Sequence, residues 1–307
     1  MIIKPRLEPK NLKVLRSLNT RMNLSEDDRQ NYLNLKKGYE GEVMFDELTN
    51  KLQCECYILN DLLFKVNNTL FQIDSLIITQ KKIYFFEVKN YEGDYFYEKE
   101  AYNTRSKSEI KNPVLQLKRS DSLLRQLLHH LSYHYPIEAF VVFINPQFTL
   151  YQAPLNEPII FPTQIKRYLA KFDLAPSSLN ETHKNLASKL LSLHIEESPY
   201  KNIPSYQYNT VQKGLTCAKC LSFLKTTNGN KCKCHQCGHV EEVESAVLRM
   251  IEEIKLLFPE IKITTKLVYD WCRVIESRKR ICRILKKHFN LIGARHYAFY
   301  VEKLGNL

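Results

Sequence analysis

Two neighbouring runs constrain this chain more than anything else in it: FQIDSLII at Phe71–Ile78 and KIYFFEVKN at Lys82–Asn90. Both are strand-length and rich in Ile, Phe and Tyr, the composition of strands buried inside a sheet. Yet Asp74 interrupts the first, and Glu87 and Lys89 interrupt the second. Carboxylates are seldom buried unless they are paired, hydrogen-bonded or bound to a metal. The fold must therefore be a sheet that has a use for acids in its interior.

Side chains at i and i+2 of a strand share a face, so Glu87 and Lys89 point together and Val88 points into the opposite layer. A two-residue turn at Gln80-Lys81 pairs Thr79 with Lys82, and counting back from there sets Asp74 opposite Glu87. Asp74, Glu87 and Lys89 then converge on one face of a hairpin. Two carboxylates and a backbone carbonyl suit Mg²⁺ or Mn²⁺, and a nearby lysine can position water or neutralise charge developing on a phosphate. A structural ion pair, with the acids satisfied by Lys89 and the backbone, is the alternative.

Around these strands the pattern alternates. A helical stripe runs from Gly38 through Phe45, Leu48 and Leu52, and a short strand is expected at Cys56–Leu59. Asn112-Pro113 offers an N-cap followed by Pro at the first helical position. A long amphipathic helix follows through Leu117, Leu124, Leu128 and Leu131. Further strands are expected at Ile137–Asn145 and Pro158–Phe161, and a short helix near Leu179–Leu193. The order αβββαβ implies a mixed α/β core with helices over both faces. It occupies 37–175, after a polar leading arm over 1–36 in which Leu12, Leu15 and Leu18 keep helical spacing. A helix and a Pro/Asn-rich linker fill 176–213.

The motifs GYEGE (Gly38–Glu42), QID (Gln72–Asp74), EVKNYEG (Glu87–Gly93) and NPVLQ (Asn112–Gln116), in that order, resemble the nuclease-related domain family of the PD-(D/E)XK nuclease superfamily. The resemblance spans roughly Lys37–Phe172. It implies a nuclease-like mixed sheet flanked by helices, with a metal on Asp74 and Glu87 and Lys89 assisting the attacking water. It further implies that Glu42 completes the acidic cluster and that Gln116 lines the site. From the residues alone, GYEGE reads as a helix start whose Gly38 and Gly41 allow close backbone approach.

Cys217, Cys220, Cys234 and Cys237 form C-x2-C-x13-C-x2-C, a spacing that closes a tetrahedral zinc site and resembles a zinc ribbon over 214–240. Cys232 and His235 are left out of that ligand set. Zinc there serves either to dock nucleic acid or a protein partner, or simply to hold a small module together. The sequence offers no secretory signal or membrane-length apolar run, so the nine cysteines are expected to be reduced thiols in a cytoplasmic protein.

With 45 Lys and Arg against 33 Asp and Glu, the net charge is +12, which favours polyanionic partners. The surplus concentrates in a helical module over 241–307, where residues 245–307 hold 13 basic against 6 acidic side chains. Ser277 is a candidate N-cap for a helix with Ile281, Ile284, Leu285 and Phe289 on one side. Lys279, Arg280, Arg283, Lys286 and Lys287 fall on the other. Such a face lies against DNA phosphates in a helix-turn-helix-like unit, or is simply solvated. The expectation is a Mg²⁺- or Mn²⁺-dependent DNA nuclease targeted by the ribbon and tail. Its rival is a nucleic-acid- or partner-binding protein on a non-catalytic nuclease-like scaffold.

Overall fold

The computed structural model describes residues 1–196 and 202–303. Positions 197–201 of the expected helix-and-linker segment and 304–307 of the basic module lie outside the described residues. The described chain divides into two compact units, one built from Met1–Glu8 with 33–196, the other from Pro9–Tyr32 with 202–303. The segment expected as a leading arm is thereby split. Strand β1 (Ile2–Lys4) joins the first unit and helix α1 (Lys10–Arg21) the second. Helix α2 (Glu26–Thr49) contributes to the first from Leu33 onward.

In the first unit the chain continues through β2 (Tyr57–Val66), β3 (Thr69–Ile78) and β4 (Ile83–Lys89). After these come β5 (Gly93–Glu98), β6 (Ala101–Thr104), β7 (Glu109–Ile110) and α3 (Pro113–His130). The run ends with β8 (Ile137–Phe143), β9 (Phe148–Tyr151), β10 (Ile159–Ile160), α4 (Ile165–Leu174) and α5 (Glu181–Leu193). A six-stranded mixed sheet has the order β1-β2-β3-β4-β8-β10. The β2-β3-β4 meander is antiparallel, while β1, β8 and β10 add in parallel. Strand β2 is longer than the four residues the sequence suggested, because its polar middle, Asn60-Asp61, obscures the apolar run. A second sheet, β7-β6-β5-β9, was not anticipated; its strands are short and mix aromatic with polar residues.

Both faces of the large sheet are covered. Leu117, Leu124 and Leu128 of α3 and Leu186 and Leu190 of α5 pack on one side with Phe85, Val141 and Phe143. Phe45 of α2 and Ile165, Leu169 and Phe172 of α4 pack on the other with Ile77, Phe86 and Val142. Odd and even positions of β4 thus feed opposite cores, as a period of two requires. Helix α2 ends at Thr49, so Leu52 lies beyond it. GYEGE sits in mid-helix, not at a helix start. Gly41 is needed there, since a Cβ would lie 2.4 Å from the Cβ of Asn90, whereas a Cβ on Gly38 would meet nothing within 4 Å.

The second unit adds β11 (Thr227–Asn228), β12 (Lys231–Lys233), β13 (Val240–Glu242) and α6 (Val243–Leu257). Helices α7 (Thr265–Cys272) and α8 (Arg278–His288) and strands β14 (Phe289–Ile292) and β15 (Phe299–Glu302) complete it. The first three strands form one antiparallel sheet and the last two a hairpin, which Ile263 joins by a bridge to Tyr300. The cysteine segment and the helices, expected as separate modules, share one hydrophobic core: Leu215, Leu224 and Cys232 pack with Val247, Ile251, Trp271 and Leu285. Helix α1 belongs to that core through Val14 and Leu18. Arg21, fully buried, seals the junction. It grips Glu253 at 2.6 and 3.0 Å, donates to the carbonyls of Gln212 and Gly214, and lies 4.4 Å from the Trp271 ring centre. No helix among the described residues is long and apolar enough to cross a membrane.

Candidate functional site

The β3–β4 register follows the expected turn. Thr79 N–H donates to the Lys82 carbonyl at 3.0 Å, and the ladder runs from Ile78–Ile83 to Ser75–Phe86. It stops one pair short of Asp74–Glu87. On the other edge of β3, Asp61 has φ +53, and the β2–β3 pairing passes over Asp61 and Asp74 between Asn60–Ser75 and Leu62–Ile73. Asp74 therefore sits where the sheet opens on both sides. Its Oδ2 accepts the Val88 N–H at 2.8 Å, the donor that an unbroken ladder would pair with Ile73.

Glu87 and Lys89 share a face, as their spacing requires, with Lys89 Nζ 2.7 Å from Glu87 Oε1. Gln116 reaches the same oxygen through Nε2 and accepts from Lys89 at 3.3 Å. It is aimed there by the start of α3, where the Asn112 side chain caps Val114 and Leu115 and Pro113 occupies the first turn, as the sequence predicts. Asp74 and Glu87 are 7 % and 2 % exposed, so both are buried acids. Each has one oxygen satisfied. Among the described residues, Asp74 Oδ1 and Glu87 Oε2 accept no hydrogen bond.

Electrostatics set these acids apart. Burial, then the neighbouring Asp74 carboxylate, pushes Glu87 up to about 7 against the pull of Lys89. Burial raises Asp74 despite Lys89, the Val88 N–H and Arg6. Glu42 rises to about 8 through burial and then Asp74, with Arg6 opposing. Burial alone would lower Lys89, but Glu87 and Asp74 outweigh it and raise it. Concentrated negative charge of this kind, away from water, favours either a proton or a cation.

Sequence reasoning missed Arg6. It comes from the segment after β1 and lies 2.5 Å from Glu42 Oε2, 2.9 and 3.2 Å from the two oxygens of Asp46, and 2.6 Å from the Asp74 carbonyl. Glu42 and Asp46, one helical turn apart on α2, are thus held by a single guanidinium. Arg6 lies 36 residues from Glu42, and no local pattern marks it.

In the second unit, Cys217, Cys220, Cys234 and Cys237 bring their sulfurs within 4.8 Å of one another. Among the described residues this is the one group of three or more His, Cys, Asp or Glu side chains that gathers so closely; Glu42, Asp74 and Glu87 do not. The Cys217–Cys237 and Cys220–Cys234 separations are 3.6 and 3.5 Å, near the ~3.8 Å edge of a tetrahedron with metal–sulfur bonds of ~2.3 Å. The two CxxC turns repeat one geometry. Cys217 N–H donates to Ser222 and Leu221 N–H to Cys217; Cys234 N–H donates to His239 and Gly238 N–H to Cys234. Leu221 and Gly238 hold equivalent left-handed positions, at φ +62 and +71. Cys232, buried in β12, and exposed His235 stand outside the cluster.

Helix α8 starts at the expected cap, Ser277 Oγ accepting from Arg280 N–H. Its cationic side divides into two stripes. Arg280 donates to the Gly229 carbonyl and to Asn230, and Lys287 pairs with Glu244 at 2.6 Å. Lys279, Arg283 and Lys286, at i, i+4 and i+7, are exposed and pair with no described residue.

Residues 37–144 match the family model described as the nuclease-related domain, about a third of the chain. The match contains Glu42, Asp74, Glu87, Lys89 and Gln116. No curated protein and no solved structure matches the chain.

Proposed function

We propose that the first unit is a metal-dependent DNA nuclease of the PD-(D/E)XK type and that the second unit targets it to nucleic acid. One observation carries the reading: where β3 and β4 part, two buried carboxylates each keep a free oxygen beside Lys89. That donor set fits a divalent cation of the Mg²⁺ or Mn²⁺ kind, held by Asp74 Oδ1 and Glu87 Oε2. The ion would supply a nucleophilic water and neutralise charge on the phosphate. Lys89, fixed by Glu87 and Gln116, holds a positive charge where the phosphorane-like charge develops. Gln116 keeps Glu87 and Lys89 in register. The Val88 N–H holds Asp74 by its other oxygen, so the free oxygen faces one way.

In the second unit the four cysteines form a zinc ribbon. The α7–α8 pair acts as a helix-turn-helix-like reader of duplex backbone through Lys279, Arg283 and Lys286. The test is purified protein on end-labelled DNA with Mg²⁺, Mn²⁺ or EDTA. Cleavage should need the metal, and Glu87→Ala or Lys89→Ala should remove most of it, a loss of several kcal/mol in barrier lowering. Undiminished cutting in excess EDTA would refute the metal-dependent mechanism, and no cutting with either metal would leave the unit a nuclease-like scaffold for binding.

A further inference from the structure

Arg6 puts a permanent positive charge into the acidic site. Its guanidinium stays protonated at any physiological pH, and its side chain is only 2 % exposed. The backbone holds it in place: β1 pairs in parallel with β2, and Ile58 N–H donates to the Met1 carbonyl at 3.0 Å. The three nitrogens reach Glu42 Oε2, both oxygens of Asp46 and the Asp74 carbonyl. These are oxygen donors of the kind a second divalent ion would use beside the one on Asp74 and Glu87. A dication placed there must expel the guanidinium or sit against a like charge. The separation of the acids agrees, since Glu42, Asp74 and Glu87 do not bring even one oxygen each within 4.8 Å of one another.

We propose that Arg6 stands in for a second metal ion: the acidic site takes one divalent cation, on Asp74 and Glu87, and Glu42 pairs with Arg6 instead of the metal. The inference rests on the nuclease reading for that first ion. Arg6 touches no reacting atom and is a positioning residue, fixing α2 and the Asp74 backbone relative to each other.

The experiment is Mn²⁺ titration followed by electron paramagnetic resonance, on the full chain with its cysteine cluster kept zinc-loaded. Wild type should bind one equivalent that Asp74→Asn abolishes, and Glu42→Gln should still bind one. Arg6→Met should admit a second equivalent, and Arg6→Met combined with Glu42→Gln should lose it again; Arg6→Lys should stay at one. Two equivalents in wild type, one of them lost in Glu42→Gln, would overturn the proposal and leave the nuclease reading standing. A folded Arg6→Met that binds only one would equally refute the exclusion of a second ion by Arg6. If no equivalent depends on Asp74, the nuclease reading itself fails. Circular dichroism establishes which variants fold; if Arg6→Met does not, the wild-type and Glu42→Gln stoichiometries decide.

Discussion

Asp74 does two separable things. Oδ2 replaces a missing ladder bond by accepting the Val88 N–H, and Oδ1, which accepts no hydrogen bond among the described residues, is the oxygen proposed to hold the metal. Substitution can divide these roles. Asp74→Asn keeps an acceptor for Val88 and removes a buried charge, so stability in a urea melt should hold or rise while metal-dependent cleavage falls at least about a hundredfold. Asp74→Ala should lose the same activity and also leave the Val88 N–H unpaired, at a cost of about 1–3 kcal/mol. Equal melts for the two variants would mean that the Val88 contact contributes nothing; an active Asn variant would remove Asp74 from the chemistry. The buried acids themselves were legible because an acid inside an apolar strand breaks a strong local pattern. Arg6 was not, because its partners lie 36 to 68 residues away and nothing in its own segment is anomalous.

At the level of elements, the sequence spoke most clearly where periodicity and turn geometry agree. The turn at Gln80-Lys81 set the β3–β4 register, and the Asn112-Pro113 and Ser277 caps placed the starts of α3 and α8. Helix α1 was recognisable as a helix from Leu12, Leu15 and Leu18, but not where it packs. Its buried Arg21 meets Glu253, 232 residues along the chain. Arg21→Ala should therefore cost the second unit about 3–5 kcal/mol, the penalty for orphaning one partner of a buried ion pair; a chemical melt of the variant measures it, and a change below about 1 kcal/mol would make the pair dispensable. Helix α8 shows the same limit. Its charges were visible, but not that Arg280 and Lys287 are already engaged. Reversing Lys279, Arg283 and Lys286 together should weaken DNA binding and flatten its salt dependence by about three phosphate contacts, with the cleavage step on bound substrate unchanged. Binding titrations at several salt concentrations, beside single-turnover cleavage, read both; an unaltered salt slope would make this stripe a solvated face.

For the molecule as a whole, the consequential finding is that the cysteine cluster is not an appendage. Leu215, Cys217, Leu224, Cys232 and Cys234 belong to the core that holds α1, α6, α7 and α8. A metal on Cys217, Cys220, Cys234 and Cys237 would then stabilise the whole second unit, because binding energy at a site formed only in the folded state is folding energy. Trp271 can report on this: it is the chain's single tryptophan, fully buried in that core. The purified protein should carry close to one equivalent of zinc, and stripping it with a strong chelator should shift Trp271 emission to the red as water reaches the ring. Cys217→Ser with Cys220→Ser should prevent zinc retention and give the red-shifted spectrum from the outset. The β2-β3-β4 sheet of the first unit has its own two cores, so the β-sheet signal in far-ultraviolet circular dichroism should persist through zinc removal. Zinc that survives the double substitution would refute the ligand set. Emission that stays blue after the metal has left would mean that the apolar core holds the second unit together without it.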